Sequence, residues 1–262
     1  MSDEGQVRFE QEGHVGVITI DRPAKLNTMT LAMDHQMAEI CHQINLDPNV
    51  RTVILTGVGG RAFCAGSDIT GIEDYGNNWE YRNRVERGED YAIAVWTLRK
   101  PVVAAIDGYA IGGGLELVCA SDIRLATPES SFAAGEIRWG WHGGSGATQW
   151  LTRAISPGHA ARMLMTGDRI NGDEAYRIGL VQELMSREVL ATRAMELAQT
   201  IASRGPIAVQ STKNLIRVAM SASLEVGMAY ENDMFAYCML TNDAAEGRAA
   251  FAEHREPTFR GE

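Results

Sequence analysis

Along the first half of the chain, apolar positions come in short β-branched runs separated by turn residues. Val15 to Ile20 is the first run, and it stops at Asp21-Arg22-Pro23, where a strand leaves the core. Arg51 to Thr56 predicts a second strand. Val102 to Ile106, between Pro101 and Asp107-Gly108, predicts a third, and Ile123 to Ala126 and Ser131-Phe132 predict two more. Between these runs the period changes. Leu31, Met37, Ile40, Cys41 and Ile44 fall near helical spacing behind Thr30, a good N-cap, so a helix is expected to Asn45. Gly112-Gly113-Gly114 leads into Leu115 to Cys119, which reads as helical. Strand and helix alternate, which places this half in the α/β class with largely parallel strands.

From Thr148 onward helical patterns take over and strand signals nearly vanish. Pro206 suits the first turn of a helix to Met220, and Leu224 to Leu240 and Asp243 to His254 predict two more. This α-helical C-terminal third is expected to pack on the core or on a neighbouring subunit. Gly71 to Arg99, rich in Trp, Tyr, Asn and charge, reads as a loop-and-helix excursion of the kind that carries specificity elements.

Composition narrows the classes of function. A chain of 262 residues, 45% hydrophobic, can bury one large core with a modest second element. The net charge of −10 comes without any basic run, which argues against nucleic acid as a partner, because neutralising phosphates takes a Lys/Arg face. An anionic ligand would then be held by a few local cations and backbone N–H groups. Met1 to Gln11 is polar and no apolar run reaches the length of a membrane span, so a cytoplasmic chain with no membrane partner is expected. Cys41, Cys64, Cys119 and Cys238 lie far apart in apolar surroundings, which predicts reduced core thiols and no metal site.

Three glycine-rich segments carry candidate chemistry. Gly57 to Ala62 formally fits the dinucleotide pattern G-x-G-x-x-A, but Phe63 to Asp68 follows with another glycine where a helix should open. Gly143-Gly144-Ser145-Gly146 comes near a nucleophile elbow but has Ala147 in place of the last glycine and no strand before it. Gly112 to Gly114 is more informative, because a glycine run between strand and helix lets the backbone approach a ligand and presents N–H groups at the positive end of a helix dipole. Glu116 shares the helix face of Gly113. Taken alone it fits a helix-dipole or capping carboxylate as well as a catalyst.

The motifs taken together resemble the enoyl-CoA hydratase/isomerase (crotonase) family. Arg22 to Asn27, Arg61 to Ile69, Lys100-Pro101 followed by Asp107 to Glu116, Phe132 to Gly146, Leu164 to Gly167 with Gly179 to Val181, and Glu246 to Phe251 carry the likeness in order and spacing. The resemblance implies a crotonase-type spiral of strand-strand-helix turns with a helical C-terminal trimerisation region. Residues 1–200 would form the core with the CoA-thioester site, and residues 201–262 the oligomerisation region.

The resemblance also implies roles. The backbone N–H groups of Ser67 and Gly113 would form the oxyanion hole for the thioester oxygen, where fixed dipoles stabilise an enolate. Ser67 departs from the commoner alanine, yet a main-chain donor survives that change. Glu116 and Glu136 match the catalytic pair that holds water in the hydratases, which implies a lyase adding water across the 2,3 double bond of an acyl-CoA. Isomerases often keep only the second glutamate, so a double-bond isomerase or another acyl-CoA lyase is the alternative.

The remaining assignments concern the pocket and the coenzyme. Trp139, Trp141, His142 and Gly144 would line the substrate pocket, although Trp and His replace an expected aliphatic pair. His142 reads equally as a third acid-base group, a polar contact to the acyl group, or a loop residue outside the pocket. The two tryptophans either shape the wall or simply pack. Ala24, Lys25, Leu26, Ala65, Asp68 and Ile69 match positions along coenzyme A. Phe251 and His254 match positions that reach a neighbouring subunit's nucleotide, with His254 in place of a commoner lysine. A homotrimer or homohexamer in fatty acid metabolism is implied, with coenzyme A entering as part of the substrate and no separate cofactor. A serine peptidase on the same spiral would need a triad that these residues do not supply. A silent CoA-binding protein would not need both glutamates.

Overall fold

The first strand, β1 (Gln6–Glu12), is antiparallel to β2 (Val15–Asp21), which runs parallel to β3 (Thr52–Gly57). The computed structural model describes residues 4–71 and 90–262. Helix α1 (Leu31–Leu46) joins β2 to β3, with Thr30 Oγ1 accepting from the Met33 N–H at 3.3 Å, as its N-cap position predicts. After β3 come β4 (Ala62–Cys64), α2 (Tyr91–Trp96), β5 (Val102–Ile106), β6 (Tyr109–Ile111), α3 (Gly113–Ala120), β7 (Ile123–Ala126) and β8 (Ser131–Ala133). Each pair of strands divides between two sheets. β3, β5 and β7 are neighbours in a six-stranded sheet of order β1-β2-β3-β5-β7-β10, while β4, β6 and β8 are neighbours in a four-stranded sheet ending in β9. Here β9 is Ile170–Asn171 and β10 is Glu183–Leu184. The strand-strand-helix spiral expected from the motifs is the observed architecture.

The large sheet is covered on both faces, which is why its strands read as continuous apolar runs. All five residues of β5 are buried. Side chains alternate across the sheet: Val53 and Leu55 join the cluster that includes Met33, Met37, Cys41 and Ile44 of α1, while Ile54, Val103 and Ala105 face the other way. That second face meets Leu190, Ala194, Ala198 and Ala202 of the long helix Arg187–Ala202, whose small residues let it lie close.

Helices α4 (Ala147–Ala154), α5 (Pro157–Thr166) and α6 (Gly172–Arg177) precede that long helix, α7, and α8 (Pro206–Ala219), α9 (Leu224–Met239) and α10 (Asn242–Glu253) follow it. The last three end one residue before the sequence-based boundaries. Lys213 anchors α8 to the core, lying 2.6 Å from Asp122 Oδ2 and donating to Lys100 O at 2.8 Å. Helix α9 has no buried residue. Among the described residues no helix is long and apolar enough to cross a membrane.

The structure corrects several expectations. The polar N-terminal stretch contains β1, an edge strand with only Val7 buried, and so poor in apolar signal. In agreement with the sequence, by contrast, Gly57 to Ala62 runs from β3 into β4, with no helix to receive a dinucleotide phosphate. Cys41, Cys64 and Cys119 are buried free thiols, but Cys238 is only half-buried, on α9. The excursion expected over Gly71 to Arg99 lies partly outside the described residues; its end forms α2.

Candidate active site

The site is built at the turn from β6 into α3. Gly112 has a φ of 60°, a conformation that favours glycine, and its N–H donates to Ala133 O at 2.9 Å. At Gly113 a Cβ would come within 1.6 Å of the Tyr91 hydroxyl oxygen, so any side chain there is excluded. The backbone therefore reaches the cavity bare, at the N-terminus of a fully buried helix.

Ser67 sits on a second loop, pinned from the far side. The Met29 N–H donates to Gly66 O at 2.8 Å and the Asp68 N–H donates to Met29 O at 2.7 Å, a short parallel bridge that leaves the Ser67 N–H turned away from it. A Cβ on Gly66 would lie 3.0 Å from the Gly113 nitrogen, so the two loops are in close contact. Among the described residues neither the Ser67 nor the Gly113 N–H has a hydrogen-bond acceptor. Both residues line a cavity of about 590 Å³.

Glu116 and Glu136 line the same cavity. Glu116, in the first turn of α3, is 3% exposed, and its Oε1 accepts from the N–H groups of Ser145 at 2.8 Å and Ala147 at 3.3 Å. It does not cap its own helix, which removes the capping alternative. Glu136 lies on the short 3₁₀ turn Gly135–Trp139, which Gly140 ends at a φ of 95°. A Cβ on Gly143 would stand 2.8 Å from Glu116 Oε1 and 3.5 Å from Glu136 Oε1, so the two carboxylates converge on one spot. Burial pushes Glu116 up to about 7, against the Ser145 N–H and with help from the neighbouring Glu136 and Asp90 charges. Burial also raises Glu136, which its own N–H and His142 oppose. Glu136 Oε2 is buried without a hydrogen-bond partner among the described residues.

Trp139, Trp141, His142 and Gly144 all line the cavity, which removes the reading of His142 as a residue outside it. Trp139 is 68% exposed and stands at the mouth rather than packing in a core. His142 Nδ1 lies 2.8 Å from Gly143 O; a carbonyl only accepts, so Nδ1 carries the proton and Nε2 is the nitrogen left for other contacts.

The residues matched to coenzyme A fall in three places. Ala65 and Ile69 line the cavity. Ala24, Lys25 and Leu26 lie on a neighbouring turn joined to it by the Ala65 N–H, which donates to Leu26 O at 3.1 Å. The carboxylate of Asp68 is occupied within the loop by Thr70 Oγ1 at 2.6 Å and Arg22 Nη1 at 2.7 Å; these bonds, Thr70 first, hold it down to about 2. Its side chain thus ties two loops together. Phe251, on α10, is 86% exposed, and neither it nor His254 reaches the cavity within one chain.

The sequence reading missed Tyr91 and Asp90. Tyr91 lines the cavity and its hydroxyl lies 3.2 Å from Ser67 Oγ. Asp90 is buried and bonds the Ser145 hydroxyl. That bond also disposes of Ser145 as an exposed nucleophile. Only Ser145, in a glycine-rich run, carried a signal in the sequence. Among the described residues no three His, Cys, Asp or Glu side chains are grouped to hold a metal ion.

Comparison with known proteins places the chain in a family. The short-chain-enoyl-CoA hydratase of Clostridium acetobutylicum is 36% identical over 95% of this chain and 95% of its own length. The (E)-benzylidenesuccinyl-CoA hydratase of Thauera aromatica is 35% identical over 97% of this chain and 99% of its own. The crystal structure of enoyl-CoA hydratase from Bacillus anthracis superposes with a TM-score of 0.91 at 37% identity, covering 98% of this chain and 99% of that one. The model of the enoyl-CoA hydratase/isomerase family matches residues 10–262, and the chain belongs to that family.

Proposed function

We propose that the protein is an enoyl-CoA hydratase, adding water across the 2,3 double bond of an acyl-CoA thioester. The observation that carries this reading is that Glu116 and Glu136, whose carboxylates draw together beside Gly143, line one cavity with Ser67 and Gly113, the two residues whose N–H groups have no acceptor among the described residues. The thioester oxygen binds between those two donors. Water attacks C3 and gives a proton to ionised Glu116, while the electron pair of the double bond moves through C2 onto the thioester oxygen. The enolate then collapses as C2 takes the proton of Glu136. A proton passing from Glu116 to Glu136 restores the starting state. Burial raises both carboxyls, which suits this exchange: Glu116, at about 7, can take or release a proton near neutrality, and the rise at Glu136 favours the protonated form that gives its proton to C2.

The same reading assigns the finer features. Ala24, Lys25, Leu26, Ala65 and Ile69 run beside the coenzyme, and Trp139, Trp141, His142 and Gly144 shape the acyl pocket. The reaction moves water and protons only, so coenzyme A as part of the substrate is all it requires. Residues 1–200 act as the catalytic core and 201–262 as the assembly region of a homotrimer or homohexamer, in which Phe251 and His254 reach a neighbour's nucleotide. Free thiols fit a reducing compartment, the cytoplasm, and the chemistry fits fatty acid metabolism.

Exchanging each glutamate for glutamine tests the reading, because the amide keeps size and reach but not basicity. With a panel of 2-enoyl-CoA thioesters, both variants should lose about 10² to 10⁴ in turnover while still binding the thioester. Glu116→Gln should keep some exchange of C2 protons into deuterium oxide, and Glu136→Gln should lose it. Full turnover in Glu116→Gln beside a dead Glu136→Gln would replace hydration with single-base isomerisation.

A further inference from the structure

Asp90 is a fully buried carboxylate that the proposed chemistry does not use. It stands at the N-cap of α2, where Oδ1 accepts from the N–H groups of Ala92 and Ile93, both at 2.9 Å. Oδ2 accepts the hydroxyl of Ser145 in a very short hydrogen bond. The Ser145 N–H in turn donates to Glu116 Oε1 at 2.8 Å. One side chain thereby links three segments distant in sequence: the start of α2, the loop after Glu136, and the first turn of α3. Capping alone needs one oxygen, and Asn, Ser or Thr would supply it without burying a charge.

We infer that Asp90 is a positioning residue for Glu116, acting through Ser145. It fixes the loop whose N–H orients the Glu116 carboxylate, and with Oε1 committed to that loop, Oε2 is the oxygen left for the substrate. Asp90 also sets the charge around Glu116. Among the described residues, Asp90 and Tyr91 face it from α2, Cys64 from β4, Glu136 from the 3₁₀ turn and Cys119 from its own helix. Burial pushes both thiols up to about 12 and raises the phenol well above its ordinary value, so all three stay neutral, and because Glu136 starts the proposed reaction protonated, Asp90 is the neighbouring anion.

The inference rests on Glu116 as the base that takes the water proton, and Glu116→Gln serves as the control for that premise. Asp90→Asn keeps the cap and the size but removes the charge; Ser145→Ala keeps the loop N–H but releases the tie to Asp90. Both should lower kcat about 10-fold with KM within about 2-fold, because a misaimed base slows the chemical step without weakening binding. Removing the neighbouring anion lets Glu116 ionise more readily, so the acid limb of kcat against pH should move to lower pH in Asp90→Asn. Wild-type kcat and an unmoved acid limb in Asp90→Asn, with Glu116→Gln dead, would overturn the inference and leave the hydratase reading intact. Full turnover in Glu116→Gln would sink both. Thermal unfolding establishes that each variant folds, and if Asp90→Asn does not, a wild-type kcat in Ser145→Ala overturns the inference.

Discussion

Two apolar helices of this chain meet opposite fates. All eight residues of α3 are buried within one chain, enclosed by α2, α4 and the small sheet. None of the sixteen residues of α9 is buried, although Leu224, Met228, Phe235 and Tyr237 are exposed on it. The difference lies in what each segment finds to pack against. The spiral supplies its own partners, while α8, α9 and α10 leave open an apolar groove of about 900 Å³. Contiguous apolar surface of that kind is characteristic of interaction sites, which supports the proposed assembly of further copies through residues 201–262.

Truncating the core should show the largest effect. Phe132 is fully buried in β8, so Phe132→Ala should cost about 3–5 kcal/mol in denaturant unfolding, by lost transfer energy and the cavity left behind. A smaller effect of opposite sign is expected at Glu116. Its carboxyl rises from 4.5 to about 7 on folding, so the neutral form is favoured in the folded chain and ionisation works against folding as pH climbs. Glu116→Gln should therefore gain about 2–3 kcal/mol over the native chain above pH 7. The gain should shrink as pH falls and vanish below about 4.5, as unfolding at several pH values would show. The smallest change in the chain's own stability belongs to α9. Phe235→Asp should alter unfolding of the isolated chain by less than about 0.5 kcal/mol while shifting light-scattering mass toward the monomer. A large loss of monomer stability in that variant would show that α9 belongs to the core after all.

Much of this contrast was legible in the residues. Largely apolar runs announced β2, β3 and β5 because a two-sided sheet needs them, Ile123 to Ala126 announced β7 despite its Arg124, and Gly112-Gly113-Gly114 announced the bare backbone at α3. The small sheet was harder: β4 and β6 are three residues long, too short for a period to show. Strand β1 was hidden because an edge strand keeps polar side chains on its wet face. Asp90 and Tyr91 were not legible at all, since their roles exist only through contacts with Ser145 and Ser67, dozens of positions away. Glu116 was ambiguous for a similar reason. The groups that decide its role, the N–H donors of Ser145 and Ala147, reach it only through folding.

The bridge behind Ser67 has a consequence for the timing of solvent contact. The Met29 and Asp68 amides on either side of it are locked in hydrogen bonds, while the Ser67 amide, turned away from the bridge on a residue that lines the cavity, has no acceptor among the described residues. Hydrogen exchange at a bonded amide waits for the structure to open, whereas an unbonded amide in a wet cleft exchanges without waiting. The amide assigned to the substrate oxygen is thus less protected than those of Met29 and Asp68, and a ligand in the hole would slow its exchange while leaving theirs as they were.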